Sequence, residues 1–325
     1  MADITLRLRE SRKWLVDFAR RRHITWHIVY RAAVYLLLFN VAYVFVFPFL
    51  YMIVTSLKSP ADLADITVNW VPRTLQWSNY SLAFQTLGYW SHLKNSIIIC
   101  VVAVIGHLAS GSFIGYGFAR YDFPGRRLLF ALVIISLIIP TQTLIIPSYI
   151  MWSRLNFINT LVPILVPTFF GFGLRGGLYI FIFRQFFIRL PHELEDAAKI
   201  DGCSFIRTYW NIVIPISQPA ILVSSILGFV WHWHDFYEPQ VYISKMQNLP
   251  VTSMLPELFN MLRALEDSLE NNMMIEELME NDFYALFNEA MAMAATVVCV
   301  LPVLVLFAIV QRYFIQGVER TGLVE

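Results

Sequence analysis

The sequence predicts an all-α fold: a polytopic membrane protein with six transmembrane helices and both termini cytoplasmic. Three observations carry that expectation. Hydrophobic residues make up 58% of the 325 and charged residues 14%, against a soluble average of about 25% charged. Uncharged runs of the length needed to cross about 30 Å of hydrocarbon recur along the chain. Basic residues gather in alternate connecting segments, as cytoplasmic flanks do. A soluble single domain is excluded, and so is disorder, because 26 Phe, 15 Tyr and 9 Trp are too much apolar surface for a solvated coil. The 24 basic and 23 acidic residues balance to +1, leaving no extended cationic face for nucleic acid.

The uncharged runs are 32–57, 74–93, 95–119, 128–153, 155–174, 208–234 and 290–311. The run 74–93 is set aside because Thr74, Gln76, Ser78, Asn79, Ser81, Gln85, Thr86, Ser91 and His92 are more polar groups than lipid can satisfy. Six remain. Segments 1–31, 120–127, 184–207 and 312–325 hold 17 Lys and Arg, against six in 58–94, 154 and 235–289, which puts both ends on the cytoplasmic side. The first run is too long for a signal h-region and reads as an uncleaved anchor. The predicted organisation is a basic cytoplasmic segment 1–28, a first helix 29–57, an extracytoplasmic loop 58–94, a core 95–317 with the remaining five helices, and a cytoplasmic tail 318–325. Within the core, 184–212 is a cytoplasmic loop and 235–289 an acidic extracytoplasmic one. Cys100 and Cys299 fall inside runs and Cys203 in a cytoplasmic loop, so neither a disulfide nor a zinc-type spacing is expected.

Catalytic chemistry is not evident. No Gly-Lys dipeptide occurs, so there is no phosphate-cradling loop, and neither H-E-x-x-H nor G-x-S-x-G is present. The densest set of possible ligands is His232, His234, Asp235 and Glu238 in WHWHDFYEP. On a helix the two imidazoles point about 200° apart, so no metal site is expected. Trp231, Trp233, Phe236 and Tyr237 read instead as an interfacial aromatic belt.

Residues 191–215, PHELEDAAKIDGCSFIRTYWNIVIP, describe a short helix. Pro191 suits a first helical position, Glu193, Glu195 and Asp196 suit the positive end of the dipole, and Gly202 suits a left-handed stop. Leu194, Ala197, Ala198 and Asp201 recur at helical spacing, giving a face of small residues edged by acids that could enter a groove.

This stretch resembles the EAA loop of ABC-importer permeases: an acid, Ala-Ala, three residues, Gly, nine residues, Ile, one residue, Leu-Pro. Asp196, Ala197, Ala198, Gly202, Ile212, Ile214 and Pro215 fall in register, with Asp for Glu and Ile for Leu as departures. VPRTLQWSNY (71–80), GYGFARYDFPGR (115–126), IPSYIMWSRLNFINTL (146–161), WHDFYEP (233–239) and LPVLVLFAIVQRYFIQG (301–317) extend the likeness to the maltose-type carbohydrate-uptake permeases, MalG-like subunits in particular. His234 stands where that family usually has Asn, and the tail ERTGLVE differs from its usual ending.

The resemblance implies a non-enzymatic permease subunit of a bacterial inner-membrane importer that moves a sugar or oligosaccharide by alternating access. It implies a second permease, two ATPase subunits that carry the ATP and Mg, and an extracytoplasmic binding protein, with no cofactor on this chain. Glu193, Glu195, Asp196, Ala197, Ala198, Asp201, Gly202, Ile212 and Pro215 would form the ATPase-coupling element, with Glu195 supporting the shorter Asp196. The same architecture serving a non-sugar solute is the nearest alternative. A stand-alone ion-coupled carrier should show paired intramembrane acids, and a membrane enzyme a nucleophile with its base.

Pathway candidates are Arg175, His107, His234 and Asp235. Arg175 sits among Gly171, Gly173, Gly176 and Gly177, where a helix can break, and either pairs structurally or meets substrate. His107, amid Gly106, Ser110, Gly111 and Gly115, reads as a packing residue in a close helix contact or as a pathway group. The segment Glu257–Glu289 holds nine acids and one base, Arg263, with Leu258, Met261, Leu262, Leu265 and Leu269 at helical spacing. It is either a solvated amphipathic hairpin or a docking surface for the binding protein.

Overall fold

In the computed structural model the backbone is described for residues 2–270 and 288–322, and side chains for 28–264, 267 and 288–312. The described residues form helices and turns, with no strand among them. The principal helices are α1 (Ala2–Ser56), α2 (Ser78–Thr86), α3 (Tyr89–Arg120), α4 (Arg126–Ile138), α5 (Thr141–Arg154), α6 (Gly176–Ile188), α7 (Glu193–Ile200), α8 (Phe205–Ile216), α9 (Gln218–His234), α10 (Tyr237–Tyr242), α11 (Met254–Glu270) and α12 (Glu289–Gly322).

Three unbroken segments, Ile28–Ser56, Tyr89–Arg120 and Glu289–Arg312, are long and apolar enough to cross a membrane. Two of the expected helices are bent. Residues 128–153 fold as α4 and α5, turned by 101° from each other, because Pro140 drives Ile139 into extended backbone and ends the first helix. The run 208–234 bends by 76° at the junction of α8 and α9, where Pro215 and Pro219 flank Ser217 and the Ser217 hydroxyl donates to the Val213 carbonyl at 2.5 Å.

The run 155–174 is corrected outright: it is not a continuous helix. Asn156, Asn159, Gly171, Gly173 and Arg175 all have positive φ, and Pro163 and Pro167 open two short helical turns. The helix starts only at Gly176 and lasts 13 residues. An uncharged run measures polarity; Pro and Gly decide whether the backbone can follow. Each bent pair taken as one crossing gives up to five spans by length and composition. The run 74–93 is divided by a left-handed Gly88 between α2 and α3.

Helix α3 is the hub, packing against α6 and α9. An added Cβ would stand 2.7 Å from Tyr179 Cβ at Gly111 and 2.9 Å from Phe183 Cβ at Gly115, so the close approach depends on both glycines. Just ahead of Gly111 on α3, Ser110 ties the helix to the short turn Val166–Phe170 by donating to the Gly106 and Thr168 carbonyls at 2.9 and 2.6 Å. Gly111→Val should therefore lower the melting temperature of the purified chain, with overpacking worth about 1–3 kcal/mol. An unchanged melting curve would show that the two helices do not touch.

Two buried clusters flank this hub. One joins Trp233, Tyr89, Val251, Leu258, Leu262 and Met291, and the Trp233 indole N–H donates to the Cys299 carbonyl at 3.1 Å. Leu258 and Leu262 thus seat α11 on the core, whereas Met261 is exposed. Leu265, Leu269 and residues 271–287 lie outside the described side chains. The second cluster holds Tyr116, Phe183, Phe187, Tyr209 and Val213, next to α7.

Candidate functional site

The EAA-like segment folds as α7, eight residues long. Pro191 lies just ahead of it and His192 occupies the cap position, so the helix begins two residues later than Pro191 as a first helical residue suggested. Glu193, Glu195 and Asp196 fill the first turn, where the free amides and helix dipole favour carboxylates. Gly202 ends the helix at φ +75°. Its N–H donates to the Lys199 carbonyl at 3.0 Å and the Cys203 N–H to the Ala198 carbonyl at 2.9 Å, the paired bonds of a Schellman stop.

The helix has two unlike faces. Glu195 and Ala198 are buried, while Leu194, Ala197, Ile200 and Asp201 are exposed. Ala198 therefore does not share the open face with Leu194 and Ala197, and Glu195 does not stand beside Asp196 on it. The reason is electrostatic. Arg120, the last residue of α3, places Nε 2.8 Å from Glu195 Oε1, with side chains 1% and 9% exposed. The same guanidinium donates to the Leu190 carbonyl at 2.5 Å and to His192 Nε2 at 2.9 Å. Tyr116 and Phe205 stack nearby, 5.4 Å between centroids, and Tyr121 meets Phe205 edge-on at 5.1 Å. A charge pair enclosed this way fixes α7 to the end of α3, and stranding either partner costs about 3–5 kcal/mol.

On the open face Asp196 pairs with Lys199 at 2.9 Å, both side chains more than 60% exposed. The Lys199 hydrogen bond holds the Asp196 carboxyl below its usual range and raises Lys199 in turn. So exposed a pair adds little stability and leaves both groups free to exchange partners. Ile212 is half-buried in a π-helical stretch, Tyr209–Val213, and Pro215 is exposed beside the α8–α9 bend.

The pathway candidates separate. His107 is fully buried and stacks on Tyr179 at 4.3 Å, with His232 5.4 Å beyond. Arg175 is exposed, in left-handed backbone at the start of α6, with its guanidinium 4.6 Å from the Trp231 ring centroid. His234 is exposed on the side of α9 opposite the buried His232. Among the described residues no group of three or more His, Cys, Asp or Glu is placed to hold a metal. Asp235 Oδ1 accepts the Tyr237 and Glu238 amides at 3.1 and 3.3 Å, which caps α10.

Burial, followed by the Asp235 carboxylate, pushes Glu238 up to about 8 from 4.5. The native state then holds a proton that the unfolded chain releases, so stability falls as pH rises from 4.5 to about 8 and levels off above. Glu238→Gln should remove that slope, so its melting temperature gains on the wild type between those pH values. Parallel profiles for the two proteins would contradict the burial of this carboxyl.

Sequence reasoning did not single out Arg120, Tyr179 or Trp231 in these contacts. Arg120 could have been found as the base that closes the run 95–119, a position where a charge must either snorkel or pair.

The sequence profile of the family described as binding-protein-dependent transport system inner membrane component matches residues 111–320. The arabinooligosaccharides transport system permease protein of Halalkalibacterium halodurans is 31% identical over 87% of this chain and 92% of its own. The osmoprotective compounds uptake permease protein of Synechocystis sp. is 28% identical over 88% of this chain and 89% of its own. A crystal structure of a bacterial ABC transporter involved in the import of the acidic polysaccharide alginate superposes with a TM-score of 0.73, at 19% identity, over 88% of this chain and 96% of that one.

Proposed function

The chain belongs to the family of binding-protein-dependent transport system inner membrane components, and from that premise we propose that it is the permease subunit through which an ABC importer passes a sugar or oligosaccharide. The observation that carries the reading is α7: a short, capped helix fixed to α3 on one face and open on the other. An ATPase subunit receives Leu194, Ala197 and Ile200 in a cleft, with Glu193, Asp196 and Asp201 at its edges. When two such subunits close on ATP, α7 passes the movement through Arg120 to α3, and α3 carries α6 and α9 with it. Alternating access follows from that rigid group turning against a second permease.

The placement proposed is six crossings with both ends cytoplasmic, supported by the 17-to-six division of basic residues. The crossing expected at 155–174 is assigned to the segment that starts with the short turns at Val162 and ends with α6. The inner membrane is the site of action, as the family description states, and relatives from Halalkalibacterium and Synechocystis support a bacterial one. ATP and Mg bind on the ATPase partners. An external binding protein delivers the solute, with α11 and the acidic segment that follows it as the docking surface.

A relative named for arabinooligosaccharides supports the sugar class, and one named for osmoprotective compounds keeps a small polar osmolyte as a second reading. Reconstitution with ATPase subunits, a second permease and a loaded binding protein tests both. Arabino-oligosaccharide should stimulate ATP turnover and enter the vesicles. Stimulation by an osmolyte alone favours the second reading, and solute entry without any ATPase removes both.

A further inference from the structure

We propose that the cavity between the first turn of α4 and the end of α6 binds the phosphate headgroup of an anionic phospholipid. The cavity measures about 660 Å³ and is lined by Phe123, Arg126, Arg127, Leu128, Phe130 and Arg184 among others. Three arginines therefore line one half-open space with aromatic and aliphatic walls. The acid at its rim, Asp122, is already paired with Arg126. Arg127 and Arg184 have no carboxylate partner among the described residues. Arg184 lies with its guanidinium 3.9 Å from the Phe130 ring centroid, and its Nε is buried without a hydrogen-bond acceptor. A buried donor left in that state signals a missing anionic or polar partner. Arginine suits a phosphodiester, because its planar fork presents two parallel donors to two oxygens.

The surroundings select a lipid over a free ion. Helix α4 has no buried residue, and Leu128, Leu132 and Ile135 are 67%, 52% and 49% exposed. Leu128 belongs both to the cavity wall and to that apolar face, so a headgroup held by the arginines would lay its acyl chains along α4. Segment 120–127 is also one of the basic connecting segments, at the level where headgroups lie, and basic pockets between helices at that depth attract anionic lipids. Free phosphate would have no use for the apolar wall. The inference rests on the membrane placement of the chain and not on its transport role.

The test is native mass spectrometry of the full chain in its assembled complex, titrated in detergent with phosphatidylglycerol, phosphatidylcholine or inorganic phosphate. Wild type should retain phosphatidylglycerol at concentrations lower than phosphatidylcholine by about tenfold or more. R127Q/R184Q, which leaves the Arg126–Asp122 pair in place, should lose that preference. Should the double variant fail to assemble, R127Q alone and the wild-type selectivity still decide the matter. Equal retention of the two lipids, undiminished phosphatidylglycerol binding by the variants, or displacement of the lipid by equimolar inorganic phosphate would each overturn the proposal. Lipid selectivity in a complex that transports no sugar would leave it standing.

Discussion

Arg120→Gln is expected to cut solute uptake by about tenfold or more while the ATPase subunits still copurify. The argument begins with where the guanidinium is spent. It meets Glu195, the Leu190 carbonyl and His192 at once, all within or just before α7, from the final residue of α3. Glutamine at that position cannot span three partners, and it leaves the Glu195 carboxylate buried with no counter-charge. The open face of α7, with Leu194, Ala197 and Ile200, is untouched, so docking persists. On the proposed coupling, what the variant loses is stiffness: α7 would turn as the ATPases close, and α3 would not follow. ATP turnover should therefore continue and lose its stimulation by loaded binding protein.

A double-mutant cycle separates transmission from general damage. Glu195→Gln strands Arg120, and R120Q/E195Q removes both charges, so the double variant should be more stable than the two single losses added together, by about 1 kcal/mol or more. Rescue of stability without rescue of stimulated turnover identifies a positioning role. Strictly additive losses would mean that the two residues do not act through each other, and the lever reading of this joint would fall.

Much of this joint was readable in the chain, but not its polarity. Local backbone chemistry gave a short helix opening at Pro191, acids in its first turn and a stop at Gly202; the acids and the stop hold, and the helix opens two residues later, at Glu193. Spacing also put Ala197 and Ala198 on one face, which a two-turn helix does not preserve once a long-range charge chooses its inward side. Arg120 is distant from Glu195 in sequence, so no local rule could pair them. The spans followed the same division. Apolar length located the helices that run unbroken, even through Pro48, Pro302 and the glycines of α3, which keep helical backbone, and misled where Pro140, Pro163, Pro167 and the left-handed Gly171, Gly173 and Arg175 redirect a chain of equal hydropathy. The expected close contact at Gly111 did appear, because small residues constrain packing whichever helix arrives. The stacking of His107 on Tyr179 and of Arg175 on Trp231 needed the third dimension.

Arg175 offers the second large effect, since its backbone and its side chain call for different residues. At φ +58° it occupies the left-handed region, which disfavours a residue with a Cβ by about 1–2 kcal/mol. Glycine is the residue that this backbone prefers. Arginine is kept there nonetheless, exposed, with the Trp231 ring as its contact and no carboxylate pair among the described residues. A cation–π contact of that kind returns only about 0.5–2 kcal/mol, which roughly offsets the strain and explains no surplus. The guanidinium donors that face away from the indole remain free for sugar hydroxyls or for the second permease.

Arg175→Gly should therefore leave the melting temperature of the chain unchanged or higher and lower uptake by about tenfold or more. Arg175→Met, which retains the strain and loses the donors, should lower both. If the glycine variant assembles with its partners and fails to transport, the side chain works in the pathway. If it no longer assembles, Arg175 is a contact to the neighbouring permease. Undiminished uptake in both variants would remove this residue from the transport mechanism altogether.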